Sequence, residues 1–216
     1  RLCQGYGDAG RRAAATGMSQ GTSLLLLDGR SGTGERLVRE LQHKTRPFQQ
    51  IVGGAAGDGG SFTEMRAGQN STAASDTAAV IHLFGRRRAG IGVGHGLRAS
   101  SERMLVTRAE GAVVQHINER PAIEVYRDFA RARGVALSAE SVGGFLIKHE
   151  LGVYFLDELR TARAPLSVRA DGALVCAADV PQGSSVCILD GDPEGMLQGT
   201  DEALRAARGA VEAQEP

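Results

Sequence analysis

Five glycines crowd the fourteen residues IVGGAAGDGGSFTE, Ile51–Glu64. Gly53, Gly54 and Gly57 would let the backbone take positive φ and let a ligand approach main-chain N–H groups. Asp58, in their midst, could accept hydrogen bonds from a ligand amine or from the loop's own N–H groups. A second bend, GVGHG at Gly92–Gly96, holds His95 between Gly94 and Gly96 and could present its imidazole to a site. Two chemistries fit these residues. Main-chain amides could grip a small polar guest, or Asp58 and His95 could act as an acid–base pair. A plainer reading makes the first stretch a solvent-facing turn with Asp58 as its local cap.

Better-defined chemical motifs fail on their own requirements. Gly29–Gly34 has the glycine spacing of a phosphate loop before a helix, but Glu35 and Arg36 stand where lysine and a hydroxyl belong. A glutamate there would repel phosphates. Gly32 and Gly34 read instead as turn residues opening the helix. Gly94, Gly96 and Ala99 match the dinucleotide fingerprint, yet a strand rather than a helix is expected after Ser100. No serine sits in G-x-S-x-G. His43, His82, His95, His116 and His149 lack metal-ligand spacing, and His82 and His116, inside strand-like runs, read as structural. No catalytic residue, metal or cofactor is expected.

The elements that would position these residues can be read from apolar patterning. SLLLLDG, Ser23–Gly29, is a short apolar run expected as an internal strand buried on both faces. Thr33 starts a helix to about Lys44 with Leu37, Val38 and Leu41 on one face, Pro47 ends it, and Gln50–Gly53 is the next strand. This βαβ unit sets Ile51–Glu64 at a strand end, where ligand crevices form in α/β sheets. Thr77–Phe84 and Gly90–Gly94 are expected strands, and Gly68–Asp76 a loop. Met104–Ala109 and Ala112–Ile117 form a hairpin over Glu110-Gly111. Leu166–Ala170 and Ala173–Cys176 form another over Asp171-Gly172. Pro121 starts a helix with Ile123, Tyr126, Phe129 and Ala130 inward, stopped at Gly134. Ser185–Leu189 is a strand, and Asp192 caps a last helix with Met196, Thr200, Leu204, Ala207 and Val211 on one side. The fold class is α/β to α+β, with mixed parallel and antiparallel sheets flanked by helices.

Composition limits the partners. The 216 residues carry 25 basic and 25 acidic side chains, so no net charge draws the chain to nucleic acid or an anionic membrane. The longest apolar run, Leu24–Leu27, is far short of the ~20 residues of a membrane helix. Three widely spaced cysteines, Cys3, Cys176 and Cys187, fit buried free thiols in a reducing compartment. Arg1–Gly21 has no targeting signal, and a cytoplasmic location is expected. Arg1 in place of Met suggests a piece of a longer protein.

The order VGGAAGD (Val52–Asp58), GVGHG (Gly92–Gly96), LVTRAEGAVVQHINERPAIEVY (Leu105–Tyr126), FLIKHELGV (Phe145–Val153) and DVPQGSSVCIL (Asp179–Leu189) resembles the FIST family of intracellular sensory proteins. The resemblance runs from about Ser23 to the end. It implies that residues 1–117 are the C-terminal half of a FIST N-terminal domain and 118–216 the N-terminal part of a FIST C-terminal domain. Glu119 stands where relatives often have glycine, and Glu150 where proline is common. The resemblance implies a non-catalytic module of a signal-transduction protein. Its partners would be a small-molecule ligand, such as an amino acid or similar metabolite, and a signalling output domain or partner protein. The ligand would lie among Gly53, Gly54, Gly57, Asp58, His95 and Gly96. The alternatives are a hydrolase or transferase using Asp58 and His95, and a protein-interaction module like F-box relatives.

Overall fold

A computed structural model describes residues 3–29, 32–45, 49–59 and 63–214. The chain divides into two compact units: residues up to Val93 with those from Glu202 onward, and Gly94–Asp201. Parallel and antiparallel pairing coexist with five helices among the described residues, as the sequence implies.

In the first unit, helix α1 (Tyr6–Ala15) precedes strand β1 (Gln20–Asp28), helix α2 (Gly34–Lys44) and strand β2 (Gln50–Ala56). A small hairpin follows, β3 (Ala67–Gln69) and β4 (Thr72–Ala74), and then β5 (Ala78–Gly85). β1 is central, parallel to β2 and antiparallel to β5. Its apolar run makes it internal, although Leu26 remains exposed. The opposite faces of its alternating pattern therefore differ in cover. Pro47, expected as the stop of α2, lies outside the described residues. Helix α1 had no sequence signal beyond alanine. It is held by Tyr6, whose hydroxyl donates to Gln49 Oε1 at 2.7 Å and whose ring meets His82 edge-on at 4.7 Å. Gln49 Nε2 donates to the buried Ser23 hydroxyl, which lies 2.8 Å from His82 Nδ1. His82 thus takes the structural role expected of it.

Two corrections arise here. Gly68–Asp76 is not a loop but carries the β3–β4 hairpin, turned by Asn70 at φ 56°. Its polar side chains gave no alternation to read. Gly90–Gly94 is not a strand, because its close neighbour is a helix rather than another ladder.

The second unit is a nine-stranded antiparallel sheet. Its strands are β6 (Arg98–Ala99), β7 (Met104–Glu110), β8 (Val113–Ile117), β9 (Arg120–Pro121), β10 (Leu151–Phe155), β11 (Glu158–Arg163), β12 (Pro165–Val168), β13 (Leu174–Cys176) and β14 (Ser185–Asp190). Both expected hairpins form, with Gly111 and Gly172 at φ 55° and 82°. Helix α3 (Ala122–Arg131) buries Ile123, Tyr126, Phe129 and Ala130, and Gly134 follows at φ 73°. Helix α4 (Val142–Lys148) adds Leu146 to the core of Val106, Val114, Ile117, Leu151, Val186 and Ile188. Cys176 and Cys187 are buried and free, on strands that β7 and β8 separate.

Helix α5 (Pro193–Glu212) begins as expected, with Asp192 Oδ1 accepting the Gly195 N–H at 2.6 Å. Its inward face is not the one its large apolar residues mark. Met196 and Leu204 are exposed, while Gly195 and Gly199 are buried. In the second unit, a Cβ on Gly94 or Gly96 would meet the carbonyl oxygens of Gly199 and Gly195 at 2.1 and 2.2 Å. In the first, Gly90 and Gly92 would likewise meet those of Ala207 and Ala203 at 2.0 and 1.7 Å. Glycines two apart thus face helical residues four apart, so the buried stripe is made of small side chains.

Candidate functional site

The first unit contains a cavity of about 450 Å³ between α2 and the edge of its sheet, within the size range of small-ligand sites. Leu25 and Leu27 of β1 and Ile51–Ala55 of β2 line its floor. The wall is α2, which contributes Glu35, Val38, Arg39 and Gln42. Those four positions are spaced i, i+3, i+4 and i+7 and share one face of a helix. Leu41, buried, anchors the same helix. The rim carries opposite charges: Glu35 and Arg39 are both exposed, one helical turn apart, with Gln42 one turn further.

Of the residues singled out from sequence, Gly53 and Gly54 line this cavity. They do so from inside β2, which runs on to Ala56, and not from a loop beyond the strand. Neither takes positive φ, nor does Gly57; Gly59 does, at 72°. Gly53 is required by close approach instead, since a Cβ there would sit 1.7 Å from the carbonyl oxygen of Leu25. Gly54 faces open space. Gly57 and Asp58 follow the strand and do not belong to the lining. Asp58 Oδ2 accepts the N–H groups of Thr63 and Glu64 at 2.7 and 3.2 Å, so it clamps its own loop.

His95 and Gly96 belong to the second unit. His95 is exposed, and its Nδ1 accepts the Leu97 N–H at 3.0 Å. The carboxyl whose titration feels His95 is Glu150; burial pushes this group up, against the pull of the imidazole. Gly96 combines φ 66° with close contact to α5.

Sequence reasoning missed a polar cluster in the second unit. The hydroxyl of Ser100 donates to Asp190 Oδ2 at 2.5 Å, and Arg133 reaches the same oxygen at 3.4 Å while stacking on Phe129. His149 Nδ1 pairs with Asp190 Oδ1, its ring 4.0 Å from that of Phe145. Burial pushes the Asp190 carboxyl up, but Ser100, His149 and Arg133 outweigh it and hold it below the usual carboxylate range. The serine donates to the carboxylate rather than to the imidazole, so no base activates it as in a charge-relay set. Four residues scattered over ninety positions offered no spacing to find them by. Glu35, Arg39 and Gln42 did have a signal, their helical repeat beside the apolar Val38.

Comparison with known families settles the chain's membership. Residues 3–120 match the FIST N domain, and residues 122–214 match the FIST C domain. The chain belongs to the FIST family. No curated protein and no solved structure matches it. FIST domains are sensory domains of signal transduction. The two FIST matches meet at Pro121, whereas the second compact unit spans both sides of that residue. The reason is strand pairing: β6 and β7 of the FIST N match bond to β14 of the FIST C match, and β8 bonds to β13. No described helix is long and apolar enough to cross a membrane.

Proposed function

We propose that this FIST chain is a non-catalytic sensory module that binds a small ligand, an amino acid or similar metabolite, in the groove between α2 and β2. The observation that carries this reading is the cavity of about 450 Å³ with an apolar floor and a charged rim. A few polar groups around an apolar hollow are the usual makeup of a small-molecule site. Against catalysis by Asp58 stands its engagement by two backbone N–H groups of its own loop. A cytoplasmic setting is favoured by the buried free thiols. The bound state would be read by an output domain or partner protein.

Calorimetric titration of amino acids and small metabolites into the chain tests the reading, with Val38→Trp as control. Val38 lines the groove from α2 and is half-buried, so a larger ring there takes up its space. Binding that is lost in Val38→Trp supports the site. No binder at millimolar concentration, or a binder indifferent to Val38→Trp, overturns it.

A further inference from the structure

We propose that the open face of the β2–β1–β5 sheet is a docking surface for a short amphipathic helix of a partner protein, acidic on its polar side. Residues directly opposite one another on paired strands share a face of the sheet. Val52, Leu24 and Ile81 therefore form one row across the three strands, with Leu83 in the row on one side and Leu26 in the row on the other. Helix α1 takes the opposite face, where Tyr6 meets His82 and Phe84, and the groove under α2 opens on Leu25 and Leu27 of that same opposite face. A sheet face turned to water alternates to polar side chains. These rows instead hold no charged residue, and Leu26, Val52, Ile81 and Leu83 are 37–55% exposed. Contiguous apolar side chains of this kind mark an interaction site.

The size of the patch selects its occupant. Strands ~4.8 Å apart put the outer two ~10 Å from each other, and the rows run ~13 Å along them at ~3.3 Å per residue. An α-helix with its side chains is ~10–12 Å across and covers that length in about 2–3 turns. A second copy packed face to face would bury far less than the ~800 Å² per partner of a stable interface.

Charge sets the polar side of the helix. Gln50 of β2 shares a row with Leu83; its amide donates to the Ala89 carbonyl at 2.9 Å and accepts the Ala89 N–H at 3.1 Å. The chain after β5 thus returns to β2 across one end of the face, carrying Arg86, Arg87 and Arg88 with it. Arg86 and Arg88 are exposed and enter no ion pair among the described residues. Carboxylates on a docked helix would gain charge-assisted hydrogen bonds there, whereas lysines would be repelled.

The test is fluorescence anisotropy on the whole chain with a labelled peptide built on the repeat Leu-Glu-Glu-Leu-Leu-Glu-Ala, whose leucines fall at helical spacing. One control peptide replaces every glutamate by lysine, and another scrambles the order. The acidic peptide is expected to bind at least tenfold tighter than either. Ile81→Thr combined with Leu83→Thr puts polar side chains of high strand propensity on β5 and should weaken binding at least tenfold. Arg86→Gln combined with Arg88→Gln, outside the strands, should weaken it at least threefold at low salt and less at high salt. Thermal melting checks the folding of both variants, and neither touches the lining of the ligand groove. No binding at millimolar concentration, equal binding of the lysine or scrambled peptide, or an affinity unchanged within twofold in either variant overturns the assignment. Sedimentation of the chain alone and binding to phosphatidylserine vesicles check the other occupants. A dimer or a vesicle complex that is lost in Ile81→Thr with Leu83→Thr gives the face to a second copy or to a membrane, and the helix assignment falls.

Discussion

A Cβ on Gly53 would lie 1.7 Å from the carbonyl oxygen of Leu25, and 3.0 Å from its nitrogen. Two parallel strands approach here as only glycine permits. Gly53→Ala should push β2 from β1 and lower stability by about 1–3 kcal/mol, the usual range for overpacking. Gly54→Ala, with open space around it, should stay within about 0.5 kcal/mol. Urea unfolding of the two variants side by side measures the contrast. Equal loss in both would show that the strands do not approach as described.

Glu119 has φ 62° in the two-residue turn between β8 and β9, after Asn118 at 49°. Both central residues of such a turn take positive φ, which Asn-Gly satisfies without strain. Glu119→Gly should raise the melting temperature, with a gain of about 1 kcal/mol from relieving the left-handed backbone. The Glu119 N–H bond to Thr107 Oγ1, at 3.0 Å, is a main-chain contact and survives the change. An unchanged or lower melting temperature would contradict the turn geometry.

Asp190 and Glu150 should respond to pH with opposite signs. The folded-state pKa of Asp190 is lowered, because Ser100, His149 and Arg133 outweigh its burial. Its contribution is present above the unfolded carboxylate value of about 4 and is lost as pH falls through the lower folded value. Glu150 is raised by burial, with His95 opposing. Its contribution is present below about pH 4 and is lost as pH rises through the raised folded value. At pH 7, therefore, Glu150→Gln should raise the melting temperature and Asp190→Asn should lower it. The gain from Glu150→Gln should vanish at about pH 4. Melting curves across pH check both.

The thiols should differ in reactivity. Burial pushes Cys176 up to about 12, with Arg163 opposing, and raises Cys187 against the pull of Tyr154 and Arg103. The thiolate is the nucleophile, so both should resist alkylation in the folded state. Cys3 is only half-buried. Iodoacetamide followed by mass spectrometry should label Cys3 first and the other two only on denaturation. Early labelling of Cys176 would contradict its burial.

The legible part of the fold was local. Glu110-Gly111 and Asp171-Gly172 specified their hairpins because a turn needs only its own residues to take positive φ. The α3 stripe of Ile123, Tyr126 and Phe129 was legible because helical spacing and burial agree there. The α5 face was misread for the opposite reason. Large apolar residues usually mark the buried side, but the partner of α5 is glycine backbone, which selects small residues instead.

For the candidate site, the sequence by itself determined that glycines fall near a strand after α2, that Glu35 stands where a phosphate loop carries lysine, and that the motifs follow the FIST order. Tertiary structure decided that Gly53 and Gly54 lie within β2, that Asp58 clamps its own loop, and that His95 belongs to the second unit. It also brought Ser100, Arg133 and His149 to Asp190. Turn and helix preferences act between neighbours in the chain. A cavity wall, a close backbone approach or a shared carboxylate depends on which distant segments meet, and that is set by packing.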